Sequence, residues 1–73
     1  MKQHAGVVEE FDGFVGLGVV RDDDGSSRSF HCTQIADGTR SIAVGTRVVF
    51  DLAPGPLGRW EAVDVAAVVA PTP

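Results

Sequence analysis

The sequence contains few side chains that could perform covalent or acid–base chemistry. Its single cysteine, Cys32, directly follows His31 in the stretch "RSFHC". Neighbouring residues of a β-strand project to opposite faces, so these two side chains should point apart unless a bulge intervenes. We therefore predict no catalytic residue and no enzymatic activity.

Three consecutive aspartates, Asp22 to Asp24, precede Gly25 and invite comparison with a cation-binding loop. A calcium loop needs ligands at alternating positions and a bidentate glutamate, and this stretch supplies neither. A structural zinc site needs four ligands, which one cysteine and two histidines cannot provide. We therefore expect a solvated turn, no metal site and no cofactor.

The remaining candidate chemistry is non-covalent and suits nucleic-acid bases and phosphates. Trp60, the only tryptophan, follows Arg59. A ring that can stack on a base thus lies beside a guanidinium that can contact a phosphate. The alternative is that Trp60 caps the open end of the fold while Arg59 is solvated. Phe14 lies in a turn, where we expect its ring to be exposed or covered by the neighbouring loop.

The charge balance opposes phosphate binding on average. Six Lys and Arg stand against ten Asp and Glu, giving a net charge of −4. Proteins that bind nucleic acids generally present a basic patch, so only a local patch could overcome this field.

No apolar run approaches the roughly 20 residues of a membrane span, so no membrane association is expected. The lone cysteine is typical of a reducing compartment, and we expect a cytoplasmic protein.

Short apolar runs separated by Gly, Asp, Ser and Pro indicate strands and turns rather than helices. We predict one all-β domain over residues 5–70, followed by a disordered tail at 71–73. Its five strands should cover 6–11, 16–21, 27–32, 47–52 and part of 60–69, with a turn of 3₁₀ helix in the long third connection. A five-stranded antiparallel closed barrel would leave no sheet edge exposed. The expected inward residues are Val8, Phe11, Val20, Phe30, Ile35, Val48, Phe50, Val63 and Val65.

Four stretches resemble the bacterial cold-shock domain, a family with an OB-type barrel. They are "GVVEEFD", "VGLGVV", "RSFHC" and "GPLGRWEAVDV", and the resemblance covers about Gly6 to Val68. The resemblance implies an OB-fold and the binding of single-stranded RNA and DNA through rings on the second and third strands.

Most ring positions of that binding surface hold other residues here. They correspond to Glu10, Leu17, Val19, Ser29, Cys32 and, in the long loop, Thr39. Of the outward rings only His31 remains, while Phe11 matches a family phenylalanine of mostly packing character. Stacking contributes about 1–3 kcal/mol per base, so losing five or six rings removes roughly 5 kcal/mol or more. Binding in the manner of the family should therefore be weak.

Two functions remain open from the sequence. The first is weak or atypical binding of single-stranded nucleic acid, with candidate residues His31, Leu17, Val19, Phe11, Arg28, Trp60 and Arg59. The second is a protein-interaction or homodimerisation module that uses the Leu17/Val19 face, since exposed apolar patches with polar rims often mark protein interfaces. The coverage of the resemblance favours the first function, and the count of surviving rings favours the second.

Overall fold

The computed structural model describes residues 3–68. Its elements are β1 (His4–Asp12), β2 (Leu17–Asp22), β3 (Ser27–His31), a 3₁₀ helix (Cys32–Gln34), β4 (Arg47–Pro54), a second 3₁₀ helix (Pro56–Gly58) and β5 (Trp60–Ala67). All five predicted strands and the 3₁₀ turn are confirmed, although β1 begins two residues earlier and β4 ends two residues later than expected. The predicted tail at 71–73 lies outside the described residues. Neither helix between residues 3 and 68 is long and apolar enough to span a bilayer.

The strands form one antiparallel sheet in the order β3-β2-β1-β4-β5. The two end strands, β3 and β5, also pack against each other. A parallel bridge between Ile35 and Val65 ties the long connection to β5. Within the described residues the hydrogen-bonded ladder does not join β3 to β5, so closure of the barrel stays a prediction.

The core is a cluster of eight hydrophobic side chains, seven of which were predicted from the sequence. The buried residues are Val8, Val20, Phe30, Ile35, Val48, Phe50, Ala62 and Val65. Phe11 is only partly buried, and it packs on the core with its ring stacked on Phe30 at a centroid distance of 6.1 Å. It therefore forms the border between the core and the surface.

The prediction that Val63 points inward is wrong, because β5 contains a bulge. Asp51 pairs with Val63 and Val49 pairs with Ala66, so β5 has two residues between these pairs where β4 has one. Asp64 adopts a positive φ of 51° at this point. The extra residue shifts the alternation of side chains, so Ala62 takes the buried position and Val63 is half-exposed.

The prediction of a solvated turn at the three aspartates is wrong for the first of them. Asp22 ends β2 and is only 6% exposed. Its carboxylate lies 2.9 Å from His4 Nδ1 and accepts the Asp24 N–H at 3.2 Å. Asp23 forms an ion pair with Arg47. Residues 3–68 contain no group of three or more His, Cys, Asp or Glu side chains placed to hold a metal ion.

Candidate nucleic-acid interface

The outward face of β1, β2 and β3 is built from rungs of cross-strand neighbours. In one rung Leu17 lies between Asp12 and His31, and in the next Val19 lies between Glu10 and Ser29. The six positions thus present two aliphatic groups, two carboxylates, one hydroxyl and one imidazole. This register confirms that Leu17, Val19 and His31 share one surface. It also places a carboxylate beside each aliphatic residue.

A groove of about 420 Å³ runs along these rungs, and we call it the apolar groove. Its lining residues are Glu10, Phe11, Asp12, Leu17, Gly18, Val19 and Ser29. Gly18 forms its floor, where a Cβ would overlap the ring of the buried Phe30 and lie 3.0 Å from the Glu10 carbonyl oxygen. The absence of a side chain at this position therefore lets the Phe30 ring pack directly beneath β2.

Next to these rungs, an ion pair joins Arg21 of β2 to Glu9, which lies where the register of β1 shifts between Val8 and Glu10. Arg21 Nη2 lies 2.7 Å from Glu9 Oε1, and the Ser27 hydroxyl donates to the other carboxylate oxygen at 3.3 Å. The hydrogen bond from Arg21 holds the pKa of the Glu9 carboxyl below its ordinary value. Glu9 is thus charged at neutral pH and compensates Arg21, so this guanidinium is already paired when a phosphate approaches.

His31 and Cys32 do not lie on opposite faces as the alternation predicted. The strand ends at His31, and Cys32 begins a 3₁₀ helix, so the Cys32 Sγ lies 3.9 Å from His31 Nδ1. The same nitrogen accepts the Thr33 N–H at 3.3 Å and lies 2.9 Å from the Thr33 hydroxyl. Nδ1 is therefore occupied within the turn, and in the neutral ring Nε2 is the nitrogen left to donate to a ligand.

A second concavity lies where β3 meets the start of β5, and we call it the β3–β5 cleft. It encloses about 590 Å³ and is lined by Ser27, Arg28, Ser29, Pro56, Gly58, Arg59, Trp60 and Glu61. Trp60 is 53% exposed, so its ring is open to a ligand and does not cap the core. The fold thus brings three predicted residues, Arg28, Arg59 and Trp60, into one place.

The two arginines of this cleft are free to meet an anion. Arg21 and Arg47 form ion pairs, but neither Arg28 nor Arg59 has an ion-pair partner in the part of the chain that the structure describes. Arg28 Nε is buried and has no hydrogen-bond partner there. A buried donor without a partner costs about 1–3 kcal/mol of stability.

The charges of the two concavities have opposite signs. Glu10 and Asp12 line the apolar groove without a cation, whereas Arg28 and Arg59 outnumber the single carboxylate, Glu61, in the cleft. Ser29 borders both.

Sequence reasoning named Arg28, Arg59 and Trp60 of this cleft, but it did not include the β3 serines among the candidate binding residues. Ser27 and Ser29 are exposed alternate residues of β3, and they line the cleft together with Arg28 between them. Ser29 also lines the apolar groove, and only the pairing of the strands shows that it lies between the two concavities.

Comparisons with known proteins identify the fold. No protein-family model matches the sequence, and no curated protein matches it. Among solved structures, the cold-shock domains of Drosophila Unr (described as CSD456) superpose with a TM-score of 0.77 at 22% sequence identity. The match covers 93% of this chain and 27% of the Unr chain, so this chain spans little more than a quarter of its structural neighbour. The five-stranded antiparallel sheet with its 3₁₀ turn after β3 is thus a cold-shock-domain-like fold of the OB type.

Proposed function

We propose that the chain binds single-stranded nucleic acid weakly, and that the main contact is the β3–β5 cleft rather than the outward face of β2 and β3. The observation that supports this proposal is the convergence of Trp60 with the unpaired Arg28 and Arg59. A base can stack on an exposed indole while a phosphate meets the guanidinium groups. Unpaired bases are the fitting ligands, because the faces of bases in a duplex are already covered by their neighbours.

The composition of the outward face supports weak binding. Leu17 and Val19 occupy ring positions of the family, and Glu10 lies directly beside Val19. Each missing ring forfeits about 1–3 kcal/mol of stacking. Each 1.4 kcal/mol is about tenfold in affinity, so a micromolar binder that loses several rings becomes a millimolar one. The carboxylates on this face add repulsion toward phosphate.

A fluorescence-anisotropy titration of labelled oligo-dT tests the proposal. We expect a dissociation constant weaker than about 100 μM at about 0.1 M salt, from the stacking arithmetic above. Trp60→Ala and Arg59→Ala should weaken binding further, whereas Val44→Ala, a change at a 61% exposed residue outside both concavities, should not. Low-micromolar affinity, or equal loss in all three variants, would refute the proposal.

The apolar groove supports the second candidate function, a protein-interaction or homodimer module. Leu17 is 48% exposed and contributes to a largely apolar lining. Size-exclusion chromatography with light scattering would reveal a dimer, and Leu17→Glu should then give a monomer. A two-fold dimer that places groove on groove would bring Glu10 and Asp12 close to their own copies, which disfavours self-association through this face.

A further inference from the structure

Three exposed apolar side chains cluster at the end of the β1–β2 hairpin, next to the apolar groove. Phe14 is fully exposed, Val15 is 61% exposed and Leu17 is 48% exposed. They account for three of the six large exposed hydrophobic residues among residues 3–68. One exposed phenylalanine needs no explanation, but a cluster of exposed apolar side chains with a polar rim often marks a surface that contacts another molecule.

The turn that carries these residues is held in place by hydrogen bonds. The Asp12 carboxylate accepts the N–H groups of Phe14 at 2.9 Å and Val15 at 3.3 Å. Gly16 has a positive φ of 78°, donates to the Asp12 carbonyl at 2.8 Å, and accepts the Cys32 N–H at 2.8 Å. The backbone that presents Phe14 is therefore fixed before binding, so only the side chain has to be ordered when a partner docks, which favours its use as an anchor.

The charge of the groove indicates the kind of partner. Glu10 and Asp12 line it, and neither has an ion-pair partner within the described residues, while no cation lines the groove. A nucleic-acid backbone would be repelled here, and a second copy would oppose like charges. A segment rich in lysine or arginine is complementary to the rim, and an apolar side chain within it is complementary to the lining.

We propose that the apolar groove and the Phe14 tip dock a protein segment in which one apolar side chain is flanked by basic residues. The apolar side chain lies against Leu17 and Val19, and its basic neighbours face Glu10 and Asp12. This surface is separate from the β3–β5 cleft, and only Ser29 borders both. The proposal does not require nucleic-acid binding; it rests on the second candidate function, the protein-interaction module, and specifies the chemistry of its partner.

The test is an NMR titration of the ¹⁵N-labelled chain with three synthetic pentapeptides. The probe is acetyl-Lys-Lys-Leu-Lys-Lys-amide, and the controls replace its leucine by serine or its four lysines by glutamate. We expect the probe to shift the amides of Gly18 and Val19 and to bind at least about tenfold more tightly than either control. Equal binding of the acidic peptide, or shifts that lie elsewhere, would overturn the proposal.

Variants of exposed residues locate the contact without loss of the fold. Phe14→Ser and Glu10→Gln should each weaken probe binding about threefold or more, as expected for losing one apolar contact or one surface charge pair. Val44→Ser, a matched exposed substitution outside the groove, should leave it unchanged. Equal affinities in all three variants would contradict the assignment.

A parallel titration with oligo-dT separates this proposal from the proposed function. Nucleic-acid shifts at Trp60 without peptide shifts at Val19 would reject only the docking segment. Peptide shifts at Val19 without oligonucleotide binding would reject only the nucleic-acid function. If oligo-dT shifted the groove amides more strongly than the peptide does, the docking proposal would be wrong.

Discussion

Two phenylalanines placed on β2 should restore base stacking to the outward face. The variant carries Leu17→Phe and Val19→Phe. Both side chains face outward, with Leu17 opposite His31 and Val19 opposite Ser29, and the adjacent groove of about 420 Å³ leaves room for larger groups. Phenylalanine is also well suited to a strand, so the variant should fold.

The expected gain follows from the stacking energy of each ring. Two rings contribute about 2–6 kcal/mol if they act additively. We use the lower bound, because Glu10 stays beside Val19 and continues to repel phosphate. Since 1.4 kcal/mol is tenfold in affinity, this bound corresponds to a dissociation constant about 25-fold tighter than that of the parent chain.

Anisotropy of fluorescein-labelled oligo-dT at about 0.1 M salt measures the change, with circular dichroism to confirm folding. The matched control carries Leu17→Ile and Val19→Ile, which keeps the strand preference and the aliphatic character. The control should bind like the parent. A gain below about threefold in the folded phenylalanine variant would refute the reasoning, because ring loss would then not explain weak binding.

Two further predictions concern the stability of the scaffold. Gly18→Ala should lower the free energy of unfolding in urea by about 1–3 kcal/mol, because the added Cβ overlaps the Phe30 ring. The control Gly13→Ala should be nearly neutral, because its Cβ would lie 3.6 Å from the nearest side chain. Arg21 lowers the pKa of Glu9 in the folded state, so this pair stabilises the fold above the unfolded pKa and loses its effect as pH falls through the folded pKa. The difference in unfolding free energy between the parent and Glu9→Gln should therefore shrink from pH 7 towards about pH 3; a constant difference would show that the ion pair does not contribute.

The strands and most of the core could be predicted because side-chain burial follows a period of two wherever a strand is regular. Val8, Val20 and Phe50 are buried as this period requires. The prediction was wrong at Val63, where the extra residue of a bulge resets the alternation. A bulge depends on how β5 pairs with β4, and a single strand's sequence does not reveal that pairing.

The candidate site could be predicted only in part, for a related reason. Trp60 and Arg59 are adjacent in sequence, so their combination was visible at once. Arg28 joins them because β3 packs against β5, a contact between segments about 30 residues apart. Asp22 illustrates the same difficulty, since its partner His4 is 18 residues away in sequence and comes next to it only when β1 pairs with β2.

The most direct test of the central claim is an NMR titration of the ¹⁵N-labelled chain with oligo-dT, because it reports affinity and location together. We predict a dissociation constant weaker than about 100 μM, with the largest amide shifts at Ser27 to Ser29 and Arg59 to Glu61, the residues that line the β3–β5 cleft. Low-micromolar binding with the largest shifts at Leu17 to Val19 would contradict the account, because it would show that the outward face still binds bases without its rings.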